Sequence, residues 1–390
     1  MHSIDNTGNQ QLISVIRDEI FGNGGQITFA RFMELALYHP SHGYYMAEAR
    51  RPGRGGDFIT APEASAHFGN TLARQMAEFW ERLGEPGEWS IREYGAGVGG
   101  LAYDIMAGLS TEAPRAFDAL TYRLVEINPA LQNEALRAMT EVGLAGKVVI
   151  ESAATGLDPI TGVILANEVA DAQPVHRLRM TNEGWLEAFV TWTGHGFGWR
   201  MDAISPEAES AFVELTRENV HFEMHDIVEV SPAAATWFRQ TVEGLQRGYA
   251  LIIDYGYPVK QLYREHRLEG TLRGYFGHTV TDDPFIRVGM QDLTAHVDFT
   301  ALRRAGEAAG LVHAGHTTQG AFLSSLGLGD VLTRMQKDPA ATVEDYLAVQ
   351  AVILRLIDPG GLGRFGVMIM AREAPVEPHL RGFDEAPPDF

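Results

Sequence analysis

The chain has no cysteine among its 390 residues. That excludes disulfides, thiolate metal ligands and cysteine nucleophiles, and it suits a reducing compartment. Positive charge is scarce: 31 Lys and Arg stand against 51 Asp and Glu, a formal net charge of −20. This balance disfavours non-specific nucleic-acid binding, which depends on neutralising phosphates. It attracts basic partners over long range and serves solubility equally well. No apolar run reaches membrane-spanning length. The start, Met1-His2-Ser3-Ile4-Asp5, lacks the basic-then-apolar order of a secretory signal. The expectation is a cytoplasmic protein with no nucleic-acid or membrane partner, its oligomeric state left open. The length fits one large α/β domain with additions, or two domains, with a core that needs no staples.

What is present is organised around Trp89-Ser90-Ile91-Arg92-Glu93-Tyr94-Gly95-Ala96-Gly97-Val98-Gly99-Gly100-Leu101. The stretch starts strand-like and breaks into a glycine turn. Leu101, Ile105, Met106 and Leu109 then recur at helical spacing. Strand, glycine turn and helix open a nucleotide-binding α/β unit, because a cofactor must touch backbone where Cβ atoms would block it. Gly95, Gly97 and Gly100 satisfy G-x-G-x-x-G, a dinucleotide pattern. Gly95, Gly97 and Gly99 satisfy the G-x-G-x-G common in S-adenosylmethionine (AdoMet) methyltransferases. The turn alone does not choose between them. Glu93 favours AdoMet, since a carboxylate there receives a cationic amino group and repels a pyrophosphate.

Around this turn, residues 10–38 read as helices about a break, with Thr28 as a cap. A long Gly/Pro/Arg loop to Glu63 reads as a lid or binding loop. Phe68 to Leu83 is amphipathic. Thr121–Glu126 is a second strand whose terminal acid, Glu126, is placed to accept from ribose hydroxyls. It lies some thirty residues beyond Gly95, somewhat far for an NAD enzyme's ribose acid, which falls about 20 residues on. Lys147–Ile150 and Thr161–Ala166 are strands three and four, and Gly248–Gly256 contains strand five. Tyr257–Val297 reads as a second long loop, with Asp298 as a helix cap, and Arg364–Ala371 as a last strand. The expected division is a helical N-terminal region with the lid loop (1–88), a cofactor domain (89–175 and 233–374), a small antiparallel β insertion (176–232) and a loose tail (375–390).

Several stretches together resemble the MidA-like family, which includes the mitochondrial complex I assembly methyltransferase. They include Gly56-Asp57-Phe58-Ile59-Thr60-Ala61-Pro62-Glu63, the glycine turn, Asn167-Glu168-Val169-Ala170-Asp171-Ala172, Ile252-Ile253-Asp254-Tyr255-Gly256, Gly270-Thr271-Leu272-Arg273 and Asp292-Leu293-Thr294-Ala295-His296-Val297-Asp298-Phe299. The resemblance implies a class I methyltransferase fold, a Rossmann-like doubly wound sheet. It implies AdoMet as donor and an arginine of a protein or peptide partner as acceptor, like the complex I subunit that the family's mitochondrial branch modifies. There are departures. The family's turn reads Gly-Pro-Gly-Arg-Gly-Thr-Leu where this chain has Gly95-Ala96-Gly97-Val98-Gly99-Gly100-Leu101, and its Asn-Glu-Phe-Phe-Asp-Ala is here Asn167-Glu168-Val169-Ala170-Asp171-Ala172. The two missing aromatics are expected to have lined the acceptor pocket.

Guanidinium nitrogens are poor nucleophiles, because the charge is delocalised and the pKa lies above 12. Carboxylates help by pinning the planar fork and stabilising added positive charge. On this reading Glu168 and Asp171 are the acceptor-side carboxylates and Asn167 orients. His296 relays the departing proton. Asp57, Thr60, Glu63 and Asp254 contact the substrate. Glu93, Gly95, Gly97, Gly99, Glu126 and Asn167 hold the cofactor, and no metal is expected. Two alternatives stay open: a methyltransferase for a small molecule or another protein nucleophile, and an AdoMet-binding assembly factor without turnover.

Overall fold

The computed structural model describes residues 8–47, 65–152, 158–218, 220–263 and 270–384. The chain forms two compact units, each assembled from three separate segments. One takes 59–169, 239–255 and 303–390; the other takes 1–58, 170–238 and 256–302.

The first unit is built on a seven-stranded sheet. Its strands in chain order are β1 (Trp89–Tyr94), β2 (Leu120–Val125), β3 (Val148–Glu151), β4 (Ile160–Asn167), β5 (Leu245–Asp254), β6 (Val312–Thr318) and β7 (Gly366–Arg372). In space they run β6-β7-β5-β4-β1-β2-β3. β1 to β5 pair in parallel, while β7 runs antiparallel between β5 and β6. The sequence explains the interior. β4 and β5 are near-continuous apolar runs, as a sheet covered on both faces requires. Helix α1 (Ala66–Arg82) is capped by the Ser65 side chain, which accepts from the His67 N–H. Its Phe68, Leu72, Met76 and Phe79 join Ile91, Leu165 and Leu251 in one core. Helix α2 (Gly100–Glu112) adds Leu101, Ile105, Met106 and Leu109 to it. Helix α3 (Pro129–Glu141) starts with Pro129 behind the Asn128 cap. On β1, Arg92 is fully buried and grips Glu151 of β3 through two bonds, at 2.7 and 3.1 Å. Arg123 of β2 joins the same carboxylate at 2.8 Å. Only such two-pronged geometry makes a buried guanidinium tolerable.

The second unit is a five-stranded antiparallel sheet with helices and short strands around it. Strand Gln26–Thr28 pairs with Gly184–Trp192, which also pairs with His176–Thr181 and Phe197–Asp202. The N-terminal segment and the segment after β4 therefore share one sheet and one core, which includes Leu12, Ile16, Phe32 and Val190. The segment 176–232 is not purely β: Pro206–Thr216 is a helix, burying Ala208 and Leu215. The stretch read as a long loop up to Val297 holds short strands at Arg273–Phe276, Thr279–Thr281 and Asp292–Thr294. Single alternations of three or four residues are too short to stand out as strands in sequence.

The described part of the expected loose tail, 375–384, is tied down. Arg82 donates to the carbonyls of Pro378 and His379 at 2.6 and 2.8 Å. The Gly382 N–H donates to Gln75 Oε1 at 3.1 Å, and Leu380 is fully buried in the main core. Composition reads as loose, but one leucine and a few backbone donors suffice to dock it. Leu380→Ala is therefore expected to cost about 2–5 kcal/mol of stability, measured by denaturant unfolding; a loose tail would give no change.

Candidate functional site

The parallel strands β1, β2, β4 and β5 end on one edge of the sheet, and most of the predicted cofactor residues of the first unit lie there. The turn after β1 needs its glycines. Gly95, Gly97 and Gly99 have φ of +67°, +55° and +81°, a region that side chains disfavour. A Cβ on Gly95 would come within 2.8 Å of Val169 Cγ2, and one on Gly99 within 2.9 Å of the Met139 terminal methyl.

Glu93 is 4% exposed, and its Oε2 accepts from the Tyr122 hydroxyl at 2.6 Å. Burial pushes its carboxyl up to about 8, outweighing the Tyr122 hydrogen bond, and the nearby Glu126 adds to the rise. A group expected to carry charge is thus largely protonated at neutral pH. Tyr122, which sequence reasoning passed over as strand filler, faces it from β2; the pairing of Ile91 with Tyr122 is the register that brings them together. Glu126 is 8% exposed, and its two oxygens accept from the N–H groups of Gly97 (2.9 Å) and Asn128 (2.8 Å). Desolvation raises its pKa despite these backbone donors. Glu126 therefore ties the glycine turn to the end of β2.

At the end of β4, Asn167 Nδ2 donates to Glu168 Oε1 at 3.1 Å. Asn167 Oδ1 is buried with no hydrogen-bond partner. A native protein does not leave such an acceptor idle without cause, and a bound donor group is one way to satisfy it. Glu168 has φ +54°, a backbone conformation that costs a non-glycine residue about 1–3 kcal/mol. Its N–H donates to Ile253 O at 2.9 Å. Asp254, expected to contact substrate, has no exposed surface. Its Oδ2 accepts from the Val169 N–H at 3.1 Å and its Oδ1 from the Tyr255 N–H at 2.7 Å.

The second unit carries Asp171 and His296. The Asp171 carbonyl accepts from the Ala295 N–H at 2.9 Å, so the segments bearing the two residues are joined. The His296 N–H donates to Thr271 Oγ1 at 3.1 Å, and Thr271 is held in turn by the buried Glu229. Asp298 does cap the helix that follows, accepting from the N–H groups of Thr300 and Ala301. Asp57, Thr60 and Glu63 lie outside the described residues.

The donor set fits AdoMet. A strand-end glycine turn admits close approach, two buried carboxyls flank it, and an unpartnered acceptor sits at the neighbouring strand end. Glu93 has a consequence that needs no ligand. Its folded pKa of about 8 lies above the ordinary 4.5, so the folded state holds the proton more tightly. The stability this gives is fully present below pH 4.5 and is lost as pH rises through 8. The thermal midpoint of the ligand-free protein is expected to fall more steeply across that window than that of Glu93→Gln; parallel curves in calorimetry would refute the assignment.

Comparison with known proteins shows the family. The family described as "Putative S-adenosyl-L-methionine-dependent methyltransferase" matches residues 71–317. Protein arginine methyltransferase NDUFAF7, mitochondrial, of Mus musculus is 31% identical over 343 residues, covering 81% of this chain and 74% of the relative. The Xenopus tropicalis protein of the same name is 29% identical over 391 residues, covering 93% and 86%. A crystal structure from Burkholderia thailandensis bound to S-adenosyl-homocysteine is similar with a TM-score of 0.87. It is 32% identical, over 97% of this chain and 95% of that one. The expectation of a cytoplasmic protein is corrected by the curated relatives, which are mitochondrial.

Proposed function

From the premise that this chain belongs to the MidA-like family of AdoMet-dependent methyltransferases, we propose that its acceptor is an arginine guanidinium of a protein partner. Curated relatives named as protein arginine methyltransferases support this. The observation that carries it here is the end of β4, where a strained Glu168 stands beside Asn167. An acceptor like the complex I subunit implied by the family fits a chain of net charge −20, which attracts basic partners.

AdoMet supplies a methyl group on a sulfonium. The chain's own work is to bind, orient and exclude water. In this reading Glu93 receives the amino end of the donor, Glu126 its ribose hydroxyls through lone pairs left beside the backbone bonds, and Asn167 Oδ1 a donor group. The three turn glycines give the room. Glu168 pins the guanidinium and stabilises its added positive character. Asp171 and His296 keep the acceptor-side roles of a second carboxylate and a proton relay, and Asp57, Thr60 and Glu63 those of substrate contacts. A second reading, a small-molecule acceptor, rests on Val169 and Ala170 standing where the family has two aromatics.

Two measurements test this. Incubation with arginine-bearing peptides and AdoMet should add one or two methyl groups to arginine by mass spectrometry. Glu168→Ala should cut turnover at saturating peptide by about 10²–10³-fold with AdoMet affinity kept. Full turnover in that variant sinks the acceptor assignment, and transfer to small molecules alone favours the second reading. A cation beside Glu93 favours its ionised form, so binding must displace a proton below pH 8. AdoMet affinity should then rise by up to about tenfold per pH unit from 6 to 8 and flatten above. Glu93→Gln should remove the slope in calorimetric titrations.

A further inference from the structure

Asp254 ends β5 one residue past its last pairing with β4, Ile253 with Asn167. Glu168 N–H makes the last ladder bond between the two strands, to Ile253 O; beyond it they separate, and the N–H groups of Val169 and Tyr255 are taken by the two oxygens of Asp254. Burying a carboxylate is costly unless donors meet it, and here the donors are main chain. The bend so fixed has two products. Glu168 stays at φ +54°. Val169 stays over the glycine turn, its Cγ2 occupying the space a Cβ on Gly95 would need.

We propose that Asp254 is a positioning residue. It fixes the bend after β4, so that Val169 covers the cofactor turn and Glu168 is aimed, and it does not itself bind the acceptor. The Glu168 half rests on the acceptor role given above; the Val169 half rests only on the cofactor site. A fully buried side chain whose oxygens both meet backbone donors has no free face to offer a substrate.

The test uses Asp254→Asn, whose amide turns a donor toward one of the two N–H groups. AdoMet affinity, read by calorimetry on the full chain, should weaken about tenfold. Adding Glu168→Gly should restore most of it, because glycine adopts the left-handed bend unaided. Unchanged affinity in Asp254→Asn, or no recovery with Gly at 168, overturns the proposal. With arginine peptide, kcat in Asp254→Asn should fall on the order of 10²-fold with KM for peptide unchanged. A raised KM with kcat kept would make Asp254 an acceptor ligand and end the positioning role. Where Asp254→Asn does not fold, Val169→Gly removes the cover alone and should weaken AdoMet similarly; wild-type affinity there also overturns the inference. Failure of the acceptor reading shows elsewhere, as full turnover in Glu168→Ala while the calorimetric rescue persists.

Discussion

Three carboxyl groups are buried where parallel strands of one sheet end, and they meet their desolvation in two ways. Glu93 keeps a proton and borrows a tyrosine hydroxyl. Glu126 takes two backbone N–H groups and so fastens the glycine turn. Asp254 takes two others and so fastens the bend after β4. A carboxylate out of water demands donors at short range, and at a strand end the nearest donors are amides whose ladder has run out. The acids and the loops therefore specify each other: remove the charge and the turns lose their anchors.

Only Glu93 is left without two main-chain donors, and that sets it apart. An acid held neutral by burial is a poor site for a proton once a cation arrives. The loops are fixed by the backbone bonds of Glu126 and Asp254, while on the proposed reading the charge on Glu93 would be supplied at the moment of binding. The departures of the turn are tolerable for the same reason. Ala96 is buried, 6% exposed, where the resemblance implies proline, and Gly100 simply opens α2. The anchoring comes from Glu126 across the sheet, not from the side chains that the turn has lost.

Much of this was legible in the sequence because it is local. The strand, glycine turn and helix from Trp89 to Leu109, the Pro129 helix start and the acid-ended strands follow from neighbouring residues alone. What was not legible depends on register or on distant partners. Tyr122 matters only because β2 pairs with β1 in the frame that sets it beside Glu93. Asp254 reads as a substrate contact in sequence, and its two backbone donors, from Val169 and Tyr255, are visible only in the fold. Strand Gln26–Thr28 is three residues long, and its partner lies about 160 residues away. The expected insertion and N-terminal region thus gave no sign of sharing a sheet. Leu380 was hidden by its polar, proline-rich neighbours.

The position of β7 bears on how the chain reaches its native state on the ribosome. Among the described residues β7 is the last strand in sequence, yet it lies between β5 and β6 and bonds to both. While residues 366–372 are still in the exit tunnel, β5 presents an open edge and β6 has no place in the sheet. Open edges of apolar strands invite pairing with other chains, and long-range pairing is slow to form. If β5 forms during synthesis, its edge, Leu245–Asp254, stays unpaired until more than a hundred further residues have been added.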